Sequence, residues 1–180
     1  TLEVSLYQGN KLADRLRQCV GIRTVAVSKE HGFQLNGQSR KFKGVCLHHD
    51  LGPLGAAVNK AAIIRQIRLM KDMGVDAIRT SHNMPSQMQM QVCDSMGMMV
   101  MAESFDAWKE PKVKNGYNLF YDQWWRKDLE NLIRGHRNHP SIVMWSIGNE
   151  IPEQWNKEGA QRAKDMTDYC HQLDNTRPVT

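Results

Sequence analysis

The sequence predicts an α/β fold of successive strand–helix units, entered through a short all-β segment. Three observations carry that reading. From residue 44 onward, short apolar runs alternate with amphipathic stretches of helical period. The units recur at roughly 30 residues, the length a parallel strand needs for its helical crossover. The first forty residues instead show period-two alternation and turn residues, with no helical period.

Taken in order, Leu2, Val4 and Leu6 alternate with polar neighbours, Ile22–Val27 is a β-branched run, and Phe33 and Leu35 mark a third strand. Asn36-Gly37 is a two-residue hairpin signal. A domain boundary is placed near Arg40, giving units 1–40 and 41–180. Gly44–Leu47 is the first strand of the second unit. A helix over Asn59–Met73 puts Ile63, Ile64, Ile67 and Met70 on one face and ends at Gly74. Asp76–Arg79 is the second strand. Pro85 opens the next helix, Met88, Val92, Cys93 and Met96 face inward, and Gly97 stops it. Met98–Ala102 is the third strand. A long loop, Glu103–Asn118, leads to a helix over Tyr121–Arg134, with Trp125, Leu129, Leu132 and Ile133 spaced for burial. Ile142–Ser146 is nearly continuous in apolar residues, as a strand covered on both faces should be. A fourth helix buries Ala163, Met166, Cys170 and Leu173, and Pro178-Val179-Thr180 reads as the entry to a fifth strand.

Four such units suit a doubly wound sheet or a β/α barrel. No Gly-x-Gly-x-x-Gly and no Walker loop follows any strand, so nucleotide-binding α/β folds lose their main support. The remaining reading is a partial (β/α)8 TIM barrel. At 180 residues the chain is short of the roughly 250 that a whole barrel takes, so half of one is expected here.

Composition excludes other classes. Apolar residues make up 41%, enough for a core, so disordered and collagen-like chains are ruled out. No apolar run reaches the ~18 residues of a membrane span. The charge is +5, from 24 basic and 19 acidic residues, but the two signs are interspersed. Neither a nucleic-acid partner nor a membrane partner is expected. Cys19, Cys46, Cys93 and Cys170 are too scattered for a Cys-x-x-Cys metal pair and read as free core thiols.

In a β/α barrel the chemistry sits at the carboxyl ends of the strands. His48, His49 and Asp50 follow the first strand, and Arg79, Ser81 and His82 end or follow the second. Glu103 and Asp106 follow the third, and Asn149 and Glu150 follow the fourth. Every strand thus delivers polar side chains to one rim. Strand alternation points His48 and His49 to opposite sides, with Asp50 on the side of His48. His136, Arg137, His139 and Pro140 precede a strand and read as packing residues of the other rim. Trp145 reads as core, while Trp108 in the long loop fits either core packing or stacking on a ligand.

Gly44-Val45 with His48 and Asp50, Arg79-Thr80-Ser81-His82, and Trp145-Ser146-Ile147-Gly148-Asn149-Glu150 together resemble glycoside hydrolase family 2. Val20-Gly21-Ile22-Arg23-Thr24 and Leu35-Asn36-Gly37 are similar to that family's immunoglobulin-like domain running into its barrel. The stretch His48–Gly55 looks most like bacterial β-galactosidases, with β-glucuronidases and β-mannosidases on the same scaffold. The resemblance implies a retaining exo-β-glycosidase acting on terminal β-galactosides, in which Glu150 is the general acid/base. That role asks for a carboxyl protonated near neutral pH, hence for burial or a nearby carboxylate. It further implies that Asn149 bonds the sugar 2-hydroxyl, that His48, His82 and Asp50 contact substrate, and that Arg79 orients the nucleophile. The nucleophilic glutamate belongs after a seventh strand, outside these residues, so this piece alone is expected to be inactive.

Some β-galactosidases of the family bind magnesium through a Glu-x-His after the third strand. Here Glu103–Trp108 holds no histidine, so no metal and no cofactor is expected. The implied partner is a carbohydrate, the implied parent a homo-oligomer, and the compartment bacterial, periplasmic or cytoplasmic. Half a barrel leaves two unpaired strand edges, so self-association is expected. Two other readings use fewer residues: a metal-dependent barrel hydrolase built on His48, His82 and Glu150, and a sugar-binding piece without catalysis.

Overall fold

The computed structural model describes residues 1–180. An antiparallel hairpin comes first, β1 (Leu2–Gln8) and β2 (Lys11–Gln18), pinned by Glu3 to Arg15 at 3.3 Å and to Arg17 at 2.5 Å. The sequence reading contained no counterpart to β2, whose charged residues obscure its alternation. A second antiparallel sheet joins β3 (Val25–Ser28), β4 (Gly32–Leu35) and β5 (Gln38–Ser39). Asn36 and Gly37 make the expected turn between β4 and β5, with φ of 52° and 76°, both left-handed as that hairpin requires.

The run expected to be a strand from Ile22 begins only at Val25, and Ile22 is 99% exposed. The cause lies at Arg23. Its guanidinium donates to the carbonyls of Pro140, at 2.7 Å, and Ile142, at 2.5 Å, which ties the segment to the far end of the larger sheet.

That larger sheet is the centre of the molecule. Strands β6 (Gly44–His48), β7 (Ala77–Ser81), β8 (Met99–Glu103) and β9 (Ile142–Ser146) lie parallel in sequence order. Helices α1 (Lys60–Asp72), α2 (Gln87–Met96) and α3 (Tyr121–His136) cross between them, and α4 (Lys157–Leu173) follows the last strand. Val179 pairs in parallel with Trp145, as the entry to a fifth strand. The consecutive parallel order with helices on one face is the first half of a (β/α)8 barrel.

The helix ends follow from local chemistry. Asn59, Ser86 and Asn156 each accept a hydrogen bond from a first-turn backbone N–H, and Gly97 closes α2 in the left-handed conformation. Between sheet and helices lies the core, in which Ile67, Met90, Leu129, Leu132, Ile142, Trp145 and Met166 are fully buried. Cys93 and Cys170 belong to it, and burial pushes both thiols up to about 12. Cys19 and Cys46 depart from the expected core placement and are exposed. Cys46 lies on the open inner face of the barrel, in register with Arg79, Met101 and Met144 across the four strands.

Packing joins the second antiparallel sheet to this half barrel. Phe33 is buried with Ala77, Met99 and Val143, the lower ends of three barrel strands, and Val25, Leu35 and Phe42 pack against the same cluster. Residues 25–39 thus floor the barrel. The histidines at this end are structural, as expected: His139 bonds Asp94 at 2.6 Å and Gln87 at 3.0 Å, and His136 is buried beside Pro85.

This end carries an acid sensitivity. Burial, and then the neighbouring His139, lowers His136 from 6.5 to about 4. Below pH 6.5 the unfolded chain takes a proton that the native state refuses until about pH 4. Stability is therefore full above pH 6.5 and falls as pH drops towards 4, by on the order of 3 kcal/mol. Urea unfolding at a series of pH values should show that slope, and His136→Gln should flatten it.

Candidate active site

Register places the polar ends of the strands together. Arg79 in β7 pairs with Met101 in β8, so Glu103, two residues on, lies on the same face one step further along. Glu103 is fully buried. One of its carboxylate oxygens accepts from Arg79 Nε and from the Ser146 hydroxyl at 2.6 Å, and the other from His82 Nδ1 at 2.7 Å. Its backbone N–H donates to Thr80 Oγ1 at 3.0 Å. Burial pulls the Arg79 guanidinium down, but its hydrogen bonds to Glu103 and Cys46 and the charge of Glu103 outweigh it, and the net shift is upward.

From this hub the arrangement extends to the rim. Arg79 Nη2 donates to Asn149 Oδ1 at 3.0 Å, which fixes the orientation of that amide. Asn149 Nδ2 then donates to Asp106 Oδ1 at 2.9 Å. Burial alone would raise Asp106, yet its hydrogen bonds from Asn149 and Lys112, and the Lys112 charge, hold it below the usual carboxylate range. On the other side, His82 meets the edge of His48, with ring centroids 5.0 Å apart. The Ser81–His82 peptide is cis.

The loop after β8 clasps the loop after β9. Trp108 Nε1 donates to the Ile147 carbonyl at 2.6 Å, and Lys112 Nζ to the Asn149 carbonyl at 2.6 Å. In return Glu153, fully buried, accepts from the backbone N–H groups of Lys109 at 3.0 Å and Glu110 at 3.4 Å. A side chain on Gly148 would press on Ile151 at 2.8 Å and on the Trp108 indole at 3.0 Å, so the bare glycine eases the close approach of the two loops.

Five residues singled out from the sequence, His48, Arg79, His82, Asn149 and Glu150, come to this rim. Asp50 stands apart. One of its oxygens accepts from Gly52 N–H at 2.6 Å within a turn, and no hydrogen bond or ion pair joins it to the other five. His49 turns away from His48 and meets the Ala56 carbonyl at 3.0 Å. Trp108 is core, only 4% exposed, so the stacking reading does not hold. The Glu150 side chain is 84% exposed, and the nearest charge is Lys112 at 4.0 Å. The burial expected for it is not found, because the inner face of the half barrel is open. Glu103 and Asp106 are visible at the rim from the sequence but carry no pattern that assigns them a part, and Lys112, in a loop without period, gives no signal. No three His, Cys, Asp or Glu side chains converge closely enough to ligate a metal ion.

The sequence profile described as "Glycosyl hydrolases family 2, TIM barrel domain" matches residues 25–180. The chain belongs to glycoside hydrolase family 2. A beta-galactosidase of Bacteroides ovatus is 39% identical over all of this chain and 25% of its own length. A beta-glucuronidase of Felis catus is 36% identical over 89% of this chain and 24% of its own. Among solved structures, a glycosyl hydrolase family 2 member from Bacteroides cellulosilyticus superposes with a TM-score of 0.92 at 43% identity, over 97% of this chain and 23% of that one. The chain therefore spans about a quarter of the length of the relatives it matches.

The polar rim of this chain is thus built around one buried carboxylate. Glu103→Gln keeps its shape but strands the Arg79 charge. The expected cost is about 3 kcal/mol of stability, the lower end for breaking a buried ion pair. Urea unfolding of the variant beside the parent protein measures it.

Proposed function

We propose that the chain is part of a retaining exo-β-glycosidase that hydrolyses terminal β-galactosides, with Glu150 as its general acid/base. The observation that carries this is the Asn149–Glu150 pair, set at the carboxyl end of β9 by hydrogen bonds from Arg79 to the Asn149 side chain and from Lys112 to its carbonyl. An exposed carboxylate beside an amide of fixed orientation suits a sugar whose glycosidic oxygen meets Glu150 and whose 2-hydroxyl meets Asn149. The β-galactoside preference is supported by the 39% identical beta-galactosidase and by the His48–Gly55 stretch.

In a retaining mechanism Glu150 protonates the leaving oxygen while a second carboxylate attacks the anomeric carbon. Glu150 then deprotonates the water that releases the sugar. The attacking glutamate is not among these residues, and its entry about 5–5.5 Å away would supply the neighbouring charge that the acid role asks for. His48 and His82 line the sugar site. His82 donates its Nδ1–H to Glu103 in a hydrogen bond, which leaves Nε2 facing the site for a sugar hydroxyl. Arg79 keeps its exposed edge for the incoming carboxylate, and Asp50 would reach a hydroxyl only through its free oxygen. Residues 1–40 would close an immunoglobulin-like domain, and the open apolar inner face would drive the isolated piece to self-associate.

A β-glucuronidase is the second reading, because relatives at 36% identity carry that name. A panel of 4-nitrophenyl β-galactoside, β-glucuronide and β-mannoside on the full-length enzyme separates the two. The galactoside should give the highest kcat/KM, and a glucuronide preference would transfer the proposal. Glu150→Ala should lose several orders of magnitude on the preferred substrate, with azide restoring turnover as the β-glycosyl azide. Near-normal activity in that variant would remove Glu150 from the role.

A further inference from the structure

We propose that Lys112 is a positioning residue for the acid/base carboxylate, holding the Asn149–Glu150 peptide and the Glu150 side chain in their working orientation. The inference rests on the reading of Glu150 as acid/base. Lys112 comes from the long loop after β8, outside the barrel strands, and its side chain is 20% exposed. Its ammonium donates to Asp106 Oδ1 at 3.0 Å and to the Asn149 carbonyl at 2.6 Å, and lies 4.0 Å from Glu150 Oε2.

Each contact has a separate consequence. The Asn149 carbonyl belongs to the peptide immediately before Glu150, so gripping it fixes the plane that sets the φ of Glu150. That φ is +45°, a left-handed value that a side chain with a Cβ disfavours and that needs an outside restraint to persist. Asp106, the second contact, also accepts from the Asn149 side chain, so one ammonium ties both ends of that residue to the same carboxylate. The third contact is the only ion pair Glu150 makes, and no hydrogen bond holds its side chain. An ammonium has three donors, and two are already placed. The remaining charge faces Glu150, which would otherwise sweep freely in solvent.

Protonation of a leaving oxygen tolerates little misplacement, and a shift of about 1 Å can cost roughly a hundredfold. The cost should depend on the leaving group. A poor one needs the proton, whereas 2,4-dinitrophenolate departs without it. The test measures kcat/KM, which reports the first, glycosylation step, on 4-methoxyphenyl and 2,4-dinitrophenyl glycosides of the preferred sugar, using the full-length enzyme. Lys112→Met should lose about a hundredfold on the methoxyphenyl substrate and only a few-fold on the dinitrophenyl one. Lys112→Arg, which keeps the charge and its donors, should recover part of the loss. Should Lys112→Met fail to fold by circular dichroism, Lys112→Gln carries the same comparison.

Equal losses on the two substrates would make Lys112 a packing residue only and overturn the proposal, as would no loss at all. Glu150→Gln run in parallel separates the two ideas. If it shows the leaving-group dependence and the Lys112 variants do not, the Lys112 inference alone falls. If Glu150→Gln itself loses nothing on the methoxyphenyl substrate, the acid/base reading falls first.

Discussion

A fully buried carboxylate must be paired, and the pairing of Glu103 organises everything above it. Taking a charge out of water costs several kcal/mol unless hydrogen bonds and an opposite charge replace the solvent. Glu103 meets that demand with Arg79, Ser146 and His82, drawn from or beside the two strands, β7 and β9, that flank its own. Each partner is thereby fixed in turn. Arg79 has a second edge that orients Asn149, and His82 is held with its other ring nitrogen free beside His48. A group that touches no solvent thus sets the geometry of those that do.

The second constraint is the clasp between the loops after β8 and β9. Strands place residues to within the pleat, but Asn149 and Glu150 lie beyond the last hydrogen-bonded residue of β9, where the backbone has more freedom. Trp108, Lys112 and the buried Glu153 remove that freedom from opposite sides of the loop. The close approach at Gly148 lets the indole of Trp108 reach the Ile147 carbonyl. A long loop that would be a liability as free chain becomes part of the scaffold.

Much of this was legible in the sequence, and the reason is physical. The helical period of Ile63, Ile64 and Ile67, the continuous apolar run Ile142–Ser146 and the stops at Gly74 and Gly97 fix strand–helix alternation. Alternation in a parallel sheet sends every strand's carboxyl end to one rim, so His48, Arg79, His82 and the Asn149–Glu150 pair could be located without coordinates. Glu103 was visible at that rim, yet its part as hub depends on register, Arg79 opposite Met101, which one-dimensional pattern does not reveal. Lys112 and Trp108 sit in a loop with no period at all, and only the fold brings them to Asn149 and Ile147. Asp50 lies outside this network for the converse reason. Strand alternation was extended past the end of β6 into a turn, where the backbone no longer obeys it.

In the proposed glycosidase Arg79, held by Glu103, and Asn149 would act as one unit on the sugar. A double-mutant cycle in kcat/KM, with Arg79→Met, Asn149→Ala and the double variant of the full-length enzyme, tests it most directly. Coupled residues predict a double variant scarcely worse than the more damaged single one, because losing Arg79 already disorders the amide. Losses that multiply independently would mean that Asn149 finds its place without Arg79, and would contradict the account.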